Sequence, residues 1–198
     1  MTRYAGLALF LAMLVFSCTS TASATVWSYE SVMSGPNESP VNASPGTGYG
    51  TAFYDDVAHT LALHADFTGL TGTTTASHIH AATLVPFAGT AGVATTTPSF
   101  AGFPLGVTSG SFTNTLDLTL ASSWNPSYVT AHGGTTTQAE ADFTAALLAG
   151  KAYWNIHSTT FGGGEIRGFM TLVPEPATCA LTALGVVGLG VVARRRRR

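Results

Sequence analysis

The sequence predicts an all-β domain. The expected form is an antiparallel Greek-key-like sandwich or barrel with one short helix, flanked by an N-terminal signal peptide and a C-terminal transmembrane helix. Three observations carry this. The middle of the chain is rich in Thr, Gly, Val and aromatic residues, in short runs broken by turn formers, as in proteins built of many short strands. Several runs alternate apolar and polar positions with a period of two. A helix-start signal occurs in one stretch alone.

Taken in order, Val26 to Met33 reads as a first strand, and Ser34 to Gly48, with three prolines, as a loop or irregular edge. Gly48 to Tyr54 and Val57 to Phe67 bracket the turn-favouring pair Asp55-Asp56 and form a hairpin. In its second arm His59, Leu61, Leu63, Ala65 and Phe67 share one face, and Thr60, Ala62, His64 and Asp66 the other. Thr74 to Ala81 is a strand. Residues 82–106 form a long Gly/Pro/Thr-rich loop holding a short strand, Gly110 to Leu120 is a further strand, and Trp124 to Gly134 is loop. Thr137-Gln138-Ala139-Glu140 is a capping box that starts the helix; Phe143, Ala146 and Leu147 fall on one face, and Gly150 ends it. Lys151 to Ser158 and Glu165 to Leu172 are the closing strands, joined across Gly162-Gly163-Gly164.

The two ends carry addresses. Arg3 precedes an apolar run from Ala5 to Phe16, about a dozen residues, which suits a signal-peptide core and is too short to span a bilayer. Ala22-Ser23-Ala24 places small residues where signal peptidase needs them, so cleavage is expected after Ala24. A lipoprotein signal cut before Cys18 ranks second, because Phe16 fits poorly there. At the other end Pro174-Glu175-Pro176 cannot continue a strand. Ala177 to Ala193 is uncharged and as a helix would reach roughly 25 Å, enough for a thin bilayer. The block Arg194, Arg195, Arg196, Arg197 and Arg198 resists translocation, which leaves the domain facing outward. The expected division is therefore residues 1–24, 25–173 and 174–198.

Those arginines hide the charge of the domain. Between Thr25 and Val173 nine acids face only Lys151 and Arg167, a net charge of −7 with neutral histidines. This surface repels nucleic acid. The two cysteines, Cys18 and Cys179, both lie in the end segments, so disulfides, thiolate metal sites and cysteine nucleophiles are excluded from the domain.

Four motifs stand in order: Ser34-Gly35-Pro36-Asn37-Glu38-Ser39-Pro40-Val41, His78-Ile79-His80, Tyr153-Trp154-Asn155-Ile156-His157-Ser158, and Gly164-Glu165-Ile166-Arg167-Gly168. Together they resemble the CHRD (chordin-type) domain, a module common in secreted bacterial proteins, over nearly the whole mature domain. One departure is Ser39-Pro40 where the family has a double proline. The Pro-Glu-Pro, apolar helix, arginine order resembles the PEP-CTERM sorting signal. That resemblance implies processing by an exosortase-like membrane protease in a Gram-negative bacterium, often one that makes exopolysaccharide. It also implies transit through the inner membrane to the envelope, the cell surface or the extracellular matrix.

The histidines add chemistry. His78 and His80 are two apart on a strand, so both point to one face while Ile79 points to the other; His157 stands in the same relation to Ile156. If the isoleucines enter the core and the two strands are neighbours, three imidazoles meet in a set suited to copper or zinc. His64, Asp66 or His132 could supply a fourth ligand, or orient an imidazole from behind. The competing reading is structural: hydrogen bonds to Asp66, Glu165 or the backbone. Glu165 and Arg167, also two apart, are expected to ion-pair with cross-strand neighbours. The spacing is similar to that of copper-zinc superoxide dismutases, where a His-x-His strand and a later histidine share a metal, although neither cationic steering groups nor a second metal site is evident.

No Gly-x-Ser-x-Gly elbow, phosphate loop or His-Glu-x-x-His is present, and no carboxylate pair can be nominated for glycosidase chemistry. A metal oxidoreductase is the sole enzymatic option with named residues. The leading expectation is a non-enzymatic envelope or matrix domain. The alternatives are a histidine-site copper or zinc protein and an adhesion module for glycan or protein.

Overall fold

The computed structural model describes residues 26–173. The expected signal peptide, with Cys18, Ala22 and Ala24, and the tail from Pro174 through the arginine block lie outside the described residues. Among the described residues no helix is long and apolar enough to cross a membrane.

The strands are β1 (Val26–Ser34), β2 (Thr47–Asp55), β3 (Thr60–Thr68), β4 (Thr74–His80), β5 (Gly110–Asp117), β6 (Tyr153–Ser158), β7 (Ile166–Phe169) and β8 (Thr171–Val173). The helices are α1 (Pro126–Ala131) and α2 (Thr136–Leu148). Every strand pairing is antiparallel, in the order β4-β6-β7-β1-β2-β3-β5, with β8 on β1. After the meander β1-β2-β3 the chain crosses to the far edge for β4, then returns to lay β5 against β3.

The sheet rolls over its own core. A Cβ on Gly50 in β2 would fall 2.9 Å from the Trp154 ring of β6. Those strands are three places apart, about 14 Å in a flat sheet, so only strong curvature brings them into contact. Trp154 packs edge-on against Phe100 and Phe112, with Met33, Leu61, Leu63, Ile79 and Ile156 buried around them. Fully burying such side chains is worth about 1.5–3 kcal/mol each for the aliphatic members. Helix α2 covers one end of this core. Its Phe143, Ala146 and Leu147 are buried, and Phe143 meets Trp124 edge to face at 5.5 Å.

Several local expectations change. The helix cap is Thr135, whose side chain accepts from the Gln138 amide, so α2 starts earlier than the Thr137 capping box implied. Trp124 to Gly134 contains α1, capped by Asn125 and opened by Pro126 at a position that needs no amide donor. Residues 82–106 hold no strand, only isolated bridges such as His80 to Val93. His59 lies in the β2–β3 turn with φ of 53°, and the second arm starts at Thr60. The last strand is split. β7 pairs β1 at Ser34, β8 pairs β1 at Ser28 to Glu30, and between them the Met170 amide donates to the Ala152 carbonyl.

Candidate metal centre

β4 and β6 are direct neighbours, with His78 opposite Asn155, His80 opposite Tyr153 and Ala76 opposite His157. Ile79 and Ile156 are completely buried in the core, as the alternation requires. His78, His80 and His157 therefore stand on the other face of the same two strands. Their ring nitrogens available as ligands lie within 4.8 Å of one another.

This outer face is not open to water. The segment 81–106 lies over it, and His78 and His80 are only 6% and 9% exposed. His157 is half-buried at the margin. Each ring is held from behind by a main-chain carbonyl. His78 Nδ1 meets the Pro98 oxygen at 2.9 Å, His80 Nδ1 the Ala91 oxygen at 2.8 Å, and His157 Nδ1 the Gly162 oxygen at 3.0 Å. A carbonyl can only accept, so each Nδ1 carries hydrogen and each Nε2 keeps its lone pair.

Those lone pairs face inward. His157 Nε2 and His78 Nε2 are 3.0 Å apart, and the buried His80 Nε2 has no hydrogen-bond partner. His78 and His157 thus make three contacts that each need a hydrogen, two to carbonyls and one between the rings. Two neutral imidazoles bring only two N–H groups. An additional cation, a proton or a metal ion, resolves the shortage.

The surroundings work against the proton. Burial, then the neighbouring His80, pushes the His78 pKa down to about 3. Burial likewise pushes His80 down to about 4, aided by His157 and Arg167, and lowers His157. The rings are accordingly neutral near pH 7, the state in which imidazole binds a metal.

A second polar group adjoins the cluster. The His80 ring stacks on Tyr153 with centroids 4.6 Å apart, and the Arg167 guanidinium lies over the Tyr153 ring, 4.7 Å from its centroid. Arg167 and Glu38, both buried, approach at 3.8 Å, and Arg167 also donates to the carbonyls of Asn37 and Gly89. Burial raises the Glu38 carboxyl to about 7, with Arg167 pulling the other way. Glu165 is engaged elsewhere, accepting from Ser44 Oγ at 2.6 Å and from the amides of Thr71 and Gly72.

The remaining sequence candidates stand apart from this cluster. His64 contacts Asp66 at 3.1 Å and Thr113 at 2.9 Å on the exposed face of β3. His132 bonds Asp142 at 2.7 Å and stacks on Tyr128. His59 donates to Glu140, which also accepts from Tyr54, a buried link between the hairpin and α2 that the sequence reading did not contain. Tyr153 and Asn155 were readable as sharing a face with His157, since they alternate with it on one strand. The three carbonyl partners were not readable, because main-chain groups leave no mark in a sequence.

Fold and site together define a curled antiparallel β-domain with a buried three-histidine cluster beneath its loops. The chain belongs to the CHRD domain family, whose model matches residues 29–170. A PEP-CTERM protein-sorting motif matches residues 172–198. Comparison with curated proteins and with solved structures gives no match. The protein is thus an exported β-domain protein addressed to the cell envelope or surface of a Gram-negative bacterium, with a motif that implies processing by an exosortase-type membrane enzyme.

Proposed function

We propose that the domain is a non-enzymatic metal-holding module of the envelope or extracellular matrix, binding one copper or zinc ion through His78, His80 and His157. The observation that carries this reading is the 3.0 Å contact between the Nε2 atoms of His78 and His157, whose Nδ1 atoms both face carbonyls. A metal ion at the common focus of the three Nε2 lone pairs removes the repulsion between them. It also gives the partnerless His80 Nε2 a ligand role. Carbonyl hydrogen bonds behind metal-bound imidazoles fix the ring and the tautomer, and this arrangement supplies one for each ring.

In this reading signal peptidase releases the chain after Ala24, residues 177–193 cross the membrane until processing, and the mature domain then stays at the surface or with exopolysaccharide. The acidic surface suits that setting. The test is metal analysis and titration calorimetry of the purified 25–173 domain. Binding of one equivalent of copper(II), copper(I) or zinc(II) at neutral pH is expected. Failure of all three ions to bind removes the reading and leaves the histidines as loop-fastening groups.

A further inference from the structure

The charge around the cluster bears on which ion it takes. All three ligands are neutral, and no carboxylate belongs to the group among the described residues. The hydrogen bonds behind the rings come from neutral carbonyls of Pro98, Ala91 and Gly162, where many zinc sites place carboxylates. The full charge tied most directly to the cluster is a cation, Arg167, stacked over Tyr153, which itself stacks on His80. Glu38 is matched to Arg167, and Glu165 to Ser44, Thr71 and Gly72.

Resting on the three-histidine reading above, we infer that the site is selective for copper(I), a monovalent ion in a three-coordinate nitrogen environment. The energetic cost of desolvating an ion in a medium of low dielectric constant scales with the square of its charge, so a monovalent ion incurs roughly a quarter of the cost of a divalent one of similar size. Three neutral nitrogens leave more charge uncompensated on a divalent ion than on a monovalent one, and Arg167 adds repulsion. Zinc(II) fills a three-histidine set with a fourth ligand, water or hydroxide, and among the described residues no carboxylate joins the group to stabilise it. Copper(II) favours four or more ligands in a tetragonal array, and the described residues offer three on two adjacent strands. Copper(I), with a filled d shell, accepts three.

Two titrations of the apo domain at pH 7 decide the matter. The first is anaerobic, with copper(I) competed by bicinchoninate. The second uses zinc(II) with a chromogenic chelator. The expected result is copper(I) binding at one equivalent, at least ~100-fold tighter than zinc(II), a gap of two decades in Kd. X-ray absorption at the copper edge should show three nitrogen neighbours. Zinc binding as tight as or tighter than copper(I) overturns the selectivity while leaving the metal site in place. A copper(I) centre with four or more neighbours also overturns it. If neither ion binds, the selectivity falls, and the three-histidine reading falls with it when copper(II) also fails to bind.

Discussion

His78 and His157 meet Nε2 to Nε2 at 3.0 Å, although 79 positions separate them in the chain. The contact exists because β4 and β6 are neighbours in register and because the Pro98 and Gly162 carbonyls turn both rings inward. Two neutral rings so placed lack one hydrogen, and this shortage is what makes the pair a candidate for a cation.

Replacing His78, His80 or His157 by alanine should weaken copper binding by more than the ~10–100-fold typical of losing an outer hydrogen-bond partner, since each removes a ligand atom. His59→Ala should leave binding unchanged, because His59 pairs with Glu140 and is not part of the three-histidine group. Calorimetry of the four variants reads this. Equal affinity in all of them would show that the histidines are structural.

The apo domain should lose stability on acidification. The three histidines have folded-state pKa values below their ordinary 6.5, at about 3 for His78 and about 4 for His80. Between those values and 6.5 the unfolded chain binds more protons than the folded one. Their contribution is therefore complete above pH 6.5 and is lost as pH falls toward 4 and below. Glu38 acts oppositely: raised to about 7, it contributes stability at low pH that fades as pH rises through 7. One carboxyl against three imidazoles leaves a net gain in stability from pH 4.5 to 6.5, measurable by urea unfolding. Stability that is flat or falls across that window would contradict the buried neutral histidines.

Gly168→Ala should destabilise the domain by at least ~1–3 kcal/mol, the usual cost of overpacking. A Cβ there would lie 2.4 Å from the Val32 carbonyl oxygen and 2.7 Å from its carbon, and backbone cannot step aside as a side chain can. Gly162→Ala, with nothing within 4 Å, is the control and should be near neutral by the same denaturation measurement.

Glu140→Ala should cost ~1–3 kcal/mol, because it leaves the buried Tyr54 hydroxyl and His59 without their shared carboxylate acceptor. The loss should fall on the docking of α2 against the β2–β3 hairpin. Hydrogen exchange should therefore show faster opening in 136–148 than in β4 and β6. Uniform acceleration throughout the domain would indicate that α2 has no local unfolding of its own.

Deleting residues 177–198 should release the domain in soluble form into the periplasm or medium. Cell fractionation with an antibody to the domain measures it. Firm membrane retention of the truncated chain would favour a lipid anchor at Cys18.

The sequence by itself determined the β class, the strand pairs with period-two alternation, the face shared by His78 and His80, and the C-terminal sorting motif. These are local properties. A strand's two faces follow from backbone geometry, and a sorting signal is read as a linear order of residue types. Thr135 was missed as the helix cap because Thr135, Thr136 and Thr137 offer the same hydroxyl in succession, and only the path of the entering chain selects one. The tertiary structure alone decided that β4 lies beside β6, that Pro98, Ala91 and Gly162 supply the carbonyls behind the rings, and that Glu38 meets Arg167 across 129 positions. The physical reason is that these contacts join segments far apart in sequence, most of them through main-chain groups every residue possesses, and Glu38 with Arg167 through side chains whose partner the local sequence does not specify. Nothing in residue identity marks them until the curvature of the sheet, set by the close approach of Gly50 to Trp154, brings the segments together.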